Sequence, residues 1–379
     1  MGWNRVIGQE RAKSLLRRAI QRGQVAHAYL FHGPEGIGKD ALAIEFAKVL
    51  VCQQGADDAC EQCSSCRRVN TLQHPNVVFI CALPVGKNEK SGDDPIAGFA
   101  EDQLGILQEQ LRQKAADPYH RISIPKATFI KVNSVRQIRR SSSLTSVEQG
   151  KKIFIISNAD QMNVEAANSL LKTLEEPPPN TLLVLTSAQK DQLPPTIVSR
   201  CQSIQCGPLR EEEIAKSLVE RDGAERNQAA LVAKLAEGSY ARARDLLSVD
   251  ILQERQSVVM FVQYALGSQR IPLLNAVEEI SRTMDRDASI RWLKLLQVWF
   301  RDALILRERG MSSVQNQDLL KDLESFVSKF PNANLVRCID SVERSIALVD
   351  KNVYLSLVFT TLAIELHTHS YADSLFSYS

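Results

Sequence analysis

Residues 27–51 read HAYLFHGPEGIGKDALAIEFAKVLV, and the reading of this stretch decides the fold. HAYLF (27–31) is a short continuous apolar run suited to a strand buried on both faces, and KDALAIEFAKVLV (39–51) carries apolar residues at helical spacing. Between them lies GPEGIGKD (33–40). Through its seventh residue this octapeptide follows the phosphate-cradling pattern G-x-x-x-x-G-K-[ST], in the strand, glycine loop, helix order that the pattern requires. In such a loop the glycines let backbone N–H groups face phosphate oxygens and the helix N-terminus adds positive potential. The lysine then neutralises the terminal phosphates, and a hydroxyl holds Mg²⁺. Gly33, Gly36, Gly38 and Lys39 are all present, but Asp40 stands where the hydroxyl belongs. A carboxylate there sets negative charge beside phosphate and offers Lys39 a competing partner. ATP and Mg²⁺ are therefore expected to bind weakly or not at all; the plainer alternative is a glycine turn at a helix start with no nucleotide role.

Working outward, RAKSLLRRAIQR (11–22) has helical spacing, and further strands are expected at HPNVVFICA (74–82), KKIFIIS (151–157) and TLLVLTS (181–187). Helical segments lie between them, which predicts a parallel, doubly wound sheet. LPVGKNEKSGDDPIAGFA (83–100), rich in Gly, Lys and Asp, reads as a surface loop. After Pro208 strand patterns cease: 209–248 reads as a small helical domain and 250–368 as a larger bundle with long stripes such as NLVRCIDSVERSIALV. The expected class is α/β plus all-α, with domains over 1–207, 208–248 and 249–379.

Length and charge narrow the function. At 379 residues the chain is long enough for two or three domains with substantial cores. Lys+Arg 46 against Asp+Glu 44 leaves a formal charge of +2, which is no footprint for gripping duplex DNA unaided. No apolar run approaches the roughly 20 residues that span a bilayer, and the start, MGWNRVIGQERAKSLLRR, is too charged for a secretory signal. A cytoplasmic location with no membrane partner is expected.

Four of the eight cysteines cluster: Cys52, Cys60, Cys63 and Cys66 form a C-x7-C-x2-C-x2-C run within about 50–70. In a reducing compartment this spacing suits a tetrahedral structural Zn²⁺, since two overlapping C-x2-C steps aim three thiolates at one point and the flanking loop returns Cys52 as the fourth. The alternatives are a redox pair or four independent thiols; a catalytic zinc is disfavoured, because such sites keep three protein ligands and an open position.

An ATPase also needs an acidic residue or pair at the end of a second strand, to support Mg²⁺ and polarise the attacking water. The candidate strand ends Ile155-Ile156-Ser157-Asn158-Ala159-Asp160. Ser157 and Asn158 stand where acids are expected, and Asp160 comes two positions late. Two independent catalytic elements are altered together, which points to a nucleotide fold that has stopped hydrolysing.

VIGQERAKSLL, HAYLFHGPEGIGK, the cysteine cluster, AANSLLKTLEEPPPNTLLVLTS and LPPTIVSRCQ, in this order, resemble the bacterial clamp-loader ATPases of DNA polymerase III. The resemblance is dense over 5–82 and 127–206, with GSYARARDLL (238–247) and LLQVWFRDAL (295–304) as weaker echoes. It implies a RecA-like AAA+ domain over 1–207 with an inserted zinc module, a helical lid over 208–248 and an oligomerising helical collar over 249–379. Zinc cysteines are shared by the family's motor subunit, gamma/tau, and its stationary partner, delta-prime; the altered catalytic positions resemble the stationary branch. That branch helps place the sliding clamp on primed DNA.

By the same resemblance Arg200, in Ser199-Arg200-Cys201, matches the family's arginine finger, inserted into a neighbouring subunit's ATP site. A planar, permanently charged guanidinium suits charge spreading over γ-phosphate oxygens. Thr186 matches the end of the nucleotide-sensing strand. Ala241 stands where motor subunits carry an arginine, with Arg242 one position later. Asn168 and Lys172 share one face of the AANSLLKTLEEPPPN helix, either solvated or in contact with a subunit. The implied partners are gamma/tau, delta, the sliding clamp and primer-template DNA. Rival readings are an active gamma/tau-like motor and a zinc-dependent nucleic-acid-binding module.

Overall fold

The computed structural model describes residues 2–55, 57–90, 92–143, 150–247, 251–267, 270–310, 319–351 and 353–371. Two compact units divide the chain, 1–247 and 248–379. Among the described residues no helix is long and apolar enough to cross a membrane.

The first unit is built on a five-stranded sheet: β1 (Ala28–His32), β2 (Val77–Ile80), β3 (Lys152–Ile156), β4 (Thr181–Ser187) and β5 (Gln202–Gln205). Every pairing is parallel and the order is β2-β3-β4-β1-β5. β4 is buried at all seven positions, as the continuous run TLLVLTS demands of a central parallel strand. The four strands expected from sequence are present: β4 has its expected range, β1 lies one residue later, and β2 and β3 are shorter at both ends. β5 was not foreseen, because QSIQ lies at the sheet edge and fully buries only Ile204, so it carries no apolar run.

Helices α1 (Glu10–Gln21), α2 (Lys39–Val51), α3 (Ser64–Asn70), α4 (Glu101–Ala116), α5 (Val132–Ser143), α6 (Val164–Glu175) and α7 (Pro195–Val198) surround the sheet. α8 (Glu211–Asp222), α9 (Arg226–Leu235) and α10 (Tyr240–Leu247) complete the same unit. Leu30, Phe154, Ile156, Leu183 and Leu185 of the sheet pack with Val135 and Ile138 of α5 and Leu170 and Leu174 of α6. Asn163 caps α6, its side-chain oxygen accepting from Ala166 N at 2.8 Å. Asn168 and Lys172 share the exposed face of α6, opposite those leucines. α2 is buried from Ala41 to Val49 without a polar stripe, and so forms part of the core itself.

The glycine-rich 83–100 stretch contains no helix or strand among its described residues, yet it is anchored. The buried Lys131 ammonium donates to Pro84 O, Glu89 Oε2 and Pro95 O at 3.0, 2.8 and 2.5 Å. Asn133 Nδ2 adds a bond to Glu89 Oε1 at 2.8 Å.

The second unit contains α11 (Ile251–Leu266), α12 (Arg270–Thr283), α13 (Arg286–Arg309), α14 (Leu320–Lys329), α15 (Leu335–Asp350) and α16 (Leu355–Ser370), with no strand among its described residues. Phe261, Trp292 and Phe359 meet edge to face at its centre, with centroids 5.1 to 6.2 Å apart. Trp292 Nε1 donates to Ser257 Oγ at 2.7 Å, satisfying the one polar atom that this cluster would otherwise bury unpaired.

Candidate functional site

Because the strands are parallel, the loops after β1, β3 and β4 gather at one edge of the sheet, where ligands of open α/β sheets bind. A cleft of about 360 Å³ opens there. Gly36, Gly38 and Lys39 line it from the β1–α2 loop, Ser157 and Asn158 from the end of β3, and Ala241 from α10. The segment after β2 contributes Lys114, Tyr119, His120 and Arg121.

Two loop glycines are required by their neighbours. Gly36 (φ 75°) would place a Cβ 2.1 Å from Ser239 Oγ, and Gly38 (φ 96°) would place one 2.6 Å from Tyr119 Oη. Left-handed backbone and close approach together leave room for glycine alone. Tyr119 Oη accepts from the backbone N–H of Ile7 at 2.7 Å, and Ala241 N donates to Gly36 O at 3.2 Å. The loop is thus packed by groups from the N-terminal segment, the α4–α5 segment and α10.

Lys39 does not pair with Asp40, contrary to expectation. Its ammonium donates to Gly33 O at 2.9 Å and Pro34 O at 2.6 Å, carbonyls of its own loop. Burial lowers its pKa, partly offset by the negative charge of Asp40 nearby. Asp40 is instead engaged from three other directions. Lys114 Nζ lies 2.8 Å from Oδ2, Ser157 Oγ donates to Oδ2 at 2.8 Å, and Thr186 Oγ1 donates to Oδ1 at 2.8 Å. Burial pushes the Asp40 carboxyl up, but the Lys114 charge and the three hydrogen bonds more than reverse this, leaving it below the ordinary carboxylate value. Asn158 N closes the network by donating to Thr186 Oγ1 at 3.1 Å.

The remaining sequence candidates separate into three places. Asp160 turns to the end of β4, where Oδ1 accepts from Ala188 N at 3.1 Å, and Arg242 pairs with Glu237 at 2.9 Å. Arg200 does not line the cleft. Its guanidinium lies 2.9 Å from Glu175 Oε1 and donates to Thr196 O at 3.0 Å, with the side chain 37% exposed. Lys114 is the residue that sequence reasoning missed. The signal that could have found it is Asp40 itself, since a carboxylate buried at a loop needs a cation.

Cys52, Cys60, Cys63 and Cys66 converge, with all four Sγ atoms within 4.8 Å of one another. Four thiolates about 2.3 Å from a zinc ion would stand roughly 3.8 Å apart at the corners of a tetrahedron, so the donor set and its spacing fit that metal. Backbone N–H groups point at the sulfurs: Cys63 N lies 3.4 Å from Cys60 Sγ and Cys66 N 3.4 Å from Cys63 Sγ. Burial raises the Cys63 thiol, but the N–H groups of Cys66 and Gln53 prevail and bring it down to about 6, whereas burial and the bond with Cys63 push the Cys66 thiol up, so without a cation the quartet does not carry four thiolates.

The family described as DNA polymerase III, delta subunit, matches this chain over residues 8–210. The chain belongs to that family. Its match spans the sheet, the glycine loop, the cysteine quartet and Arg200, and so takes in every candidate site residue named from the sequence except Ala241 and Arg242. Among relatives of this clamp-loader-related DNA polymerase III family, the delta' subunit of Bacillus subtilis is 28% identical over 329 residues, 83% of each chain. The delta' subunit of Pseudomonas aeruginosa is 32% identical over 254 residues, 65% of this chain and 64% of that one. The tau subunit of Bacillus subtilis is 26% identical over 267 residues, 67% of this chain and 40% of that one.

Proposed function

We propose that this chain is a stationary, delta-prime-like subunit of a DNA polymerase III clamp loader, without ATPase activity of its own. It would help load the sliding clamp onto primer-template DNA beside gamma/tau and delta subunits. In this reading 1–207 is a RecA-like AAA+ domain whose P-loop is degenerate, 208–248 is its lid and 249–379 is an oligomerising collar. The quartet of cysteines holds one structural Zn²⁺, and Arg200 completes a neighbour's ATP site in trans.

The observation that carries this reading is the state of Asp40. Mg²⁺ demands near-octahedral oxygen coordination, supplied at such loops by a hydroxyl, phosphates and water. Here the hydroxyl is a carboxylate already engaged by Lys114, Ser157 and Thr186. The residues present do not fit the metal, which leaves this loop without the cation that hydrolysis would need.

The tau relative and the retained Lys39 favour one second reading, an active motor subunit. Steady-state turnover of ATP by the purified chain separates the two. The stationary reading expects none above a Lys39→Ala control; turnover that Lys39→Ala abolishes would replace it with the motor reading.

A further inference from the structure

Asp40 lies in the first turn of α2, and the groups that engage it come from three other elements. Lys114 belongs to α4, Ser157 follows β3 and Thr186 lies near the end of β4. The Lys114 side chain is 5% exposed; besides Asp40 it donates to His120 O at 2.9 Å and lies 5.9 Å from the centre of the Phe79 ring. In a metal-dependent phosphate loop a divalent ion bridges the loop hydroxyl to the acidic end of a neighbouring strand. Here the loop carries a carboxylate, the hydroxyls at the neighbouring strand ends donate to it directly, and the positive charge beside it is an ammonium from α4. Both the charges and the hydrogen bonds of the carboxylate are balanced within the chain.

We propose that Lys114 is the built-in cation of this cleft: paired with Asp40, it supplies the positive charge that a divalent metal would bring there, while Ser157 and Thr186 tie the same carboxylate to the strand ends, so the cleft keeps its shape without nucleotide and rejects metal–nucleotide complexes. This deepens, and rests on, the stationary reading above. A metal ion entering here would meet an ammonium at close range and find the Asp40 oxygens occupied. Neutralising either partner alone would leave an unpaired charge against the cleft wall, and such losses are among the costliest single changes. An ion pair whose cation is turned away from the cleft would equally stabilise the wall, but removing its carboxylate would leave the cleft no new cation with which to hold an anion, whereas Lys114 lines the cleft. That difference makes the proposal testable.

The experiment is a double-mutant cycle on the full chain with wild type, Asp40→Asn, Lys114→Met and the combined variant, followed by thermal melting. Each single change should lower the transition of the 1–247 unit by roughly 6 to 20 °C, and the combined variant should recover most of that loss. Additive losses in the combined variant overturn the proposal. In the second readout, Asp40→Asn is melted below pH 7 in EDTA with and without inorganic pyrophosphate. Lys114, now uncompensated at the cleft wall, should be satisfied by the anion and the melting temperature should rise, whereas the combined variant should not respond. Equal responses of the two, including no response in either, overturn it. Finally, wild type should melt at one temperature with no ligand, metal-free ADP or Mg–ADP, and a rise specific to Mg–ADP overturns it. ATP turnover by the wild-type chain would remove the stationary reading, whereas additivity in the cycle would remove this inference alone.

Discussion

Ser157 Oγ donates to Asp40 Oδ2 at 2.8 Å, so two of the positions at which the chain departs from a nucleotide-hydrolysing pattern are in direct contact. The end of β3 carries a hydroxyl that the Asp40 carboxylate accepts from, where a second carboxylate would repel it. Like charges at that separation cannot both ionise without cost.

Ser157→Asp should therefore lower the stability of the 1–247 unit at pH 7 by about 1 to 3 kcal/mol, within the range of single changes that crowd buried charges. Adding Asp40→Ser should restore much of it, because the new carboxylate then has Lys114 to itself. Urea denaturation of the single and double variants measures both effects. Wild-type stability in Ser157→Asp would mean that the two side chains are not coupled.

The cysteine quartet should hold one zinc ion per chain. Isolated zinc-finger peptides gain roughly 10 to 16 kcal/mol from the metal, but here α2 and the sheet fold around a larger core, so the loss should be confined to the module. Elemental analysis should find one zinc in wild type and none after Cys63→Ser combined with Cys66→Ser, with the circular dichroism of the rest largely kept. Full zinc in that double variant would exclude this ligand set.

A separate buried network predicts a dependence on pH. The Glu45 and Lys48 side chains are fully buried on α2, and Lys48 Nζ lies 2.7 Å from Glu45 Oε2 and 2.6 Å from Glu61 Oε1. One ammonium thus serves two carboxylates. Burial pushes Glu45 from 4.5 up to about 7, more than Lys48 and the Arg5 guanidinium, 3.8 Å away, can offset. At Glu61 burial also raises the value, but the hydrogen bonds from Lys48 and Asn70 and the Lys48 charge prevail and bring it below the ordinary one. Folded Glu45 therefore holds its proton more tightly than the unfolded chain does. Its stabilising contribution is complete below pH 4.5 and is lost as pH rises through about 7. The loss amounts to about 3 kcal/mol. Glu45→Gln should flatten the stability profile over that window, as read by urea denaturation at a series of pH values. Parallel profiles for variant and wild type would show that Glu45 does not titrate there.

What could be read from sequence follows burial. β1 and β4 are continuous apolar runs buried by the sheet on both sides, and they announce themselves, as does the glycine loop between a strand and a helix. β5 is an edge strand with exposed glutamines, so its pairing with β1 is a tertiary fact with little local trace. The cysteine quartet was legible because metal ligation imposes a spacing. The partner of Asp40 was not: Lys114 is one of several charged residues in EDQLGILQEQLRQKAA, and only the packing of α4 brings it to the loop. Sequence reasoning offered Lys39 to Asp40 because it was adjacent. The carbonyls of Gly33 and Pro34, turned inward by the loop itself, took Lys39 instead.

Arg200 carries the prediction that reaches beyond the single chain. In the free subunit its guanidinium is held by Glu175 at 2.9 Å and by Thr196 O at 3.0 Å, a partly exposed arrangement of the kind that contributes little to stability. Arg200→Ala should leave folding, zinc content and assembly unchanged. If the residue acts on a neighbour's γ-phosphate, ATP hydrolysis by the reconstituted loader, stimulated by clamp and primed DNA, should fall by the share owed to that one interface. Removing arginine fingers elsewhere costs on the order of 10³ to 10⁵ in rate at the site they serve. Arg200→Lys should rescue little, since an ammonium cannot reproduce the planar, bidentate fork. Under the same proposal Glu175→Gln should keep the activity, because an arginine acting in trans would have to leave Glu175 to reach a neighbour. An Arg200→Ala complex that loads clamps at the wild-type rate would return Arg200 to the role it has in the free chain, a surface partner of Glu175.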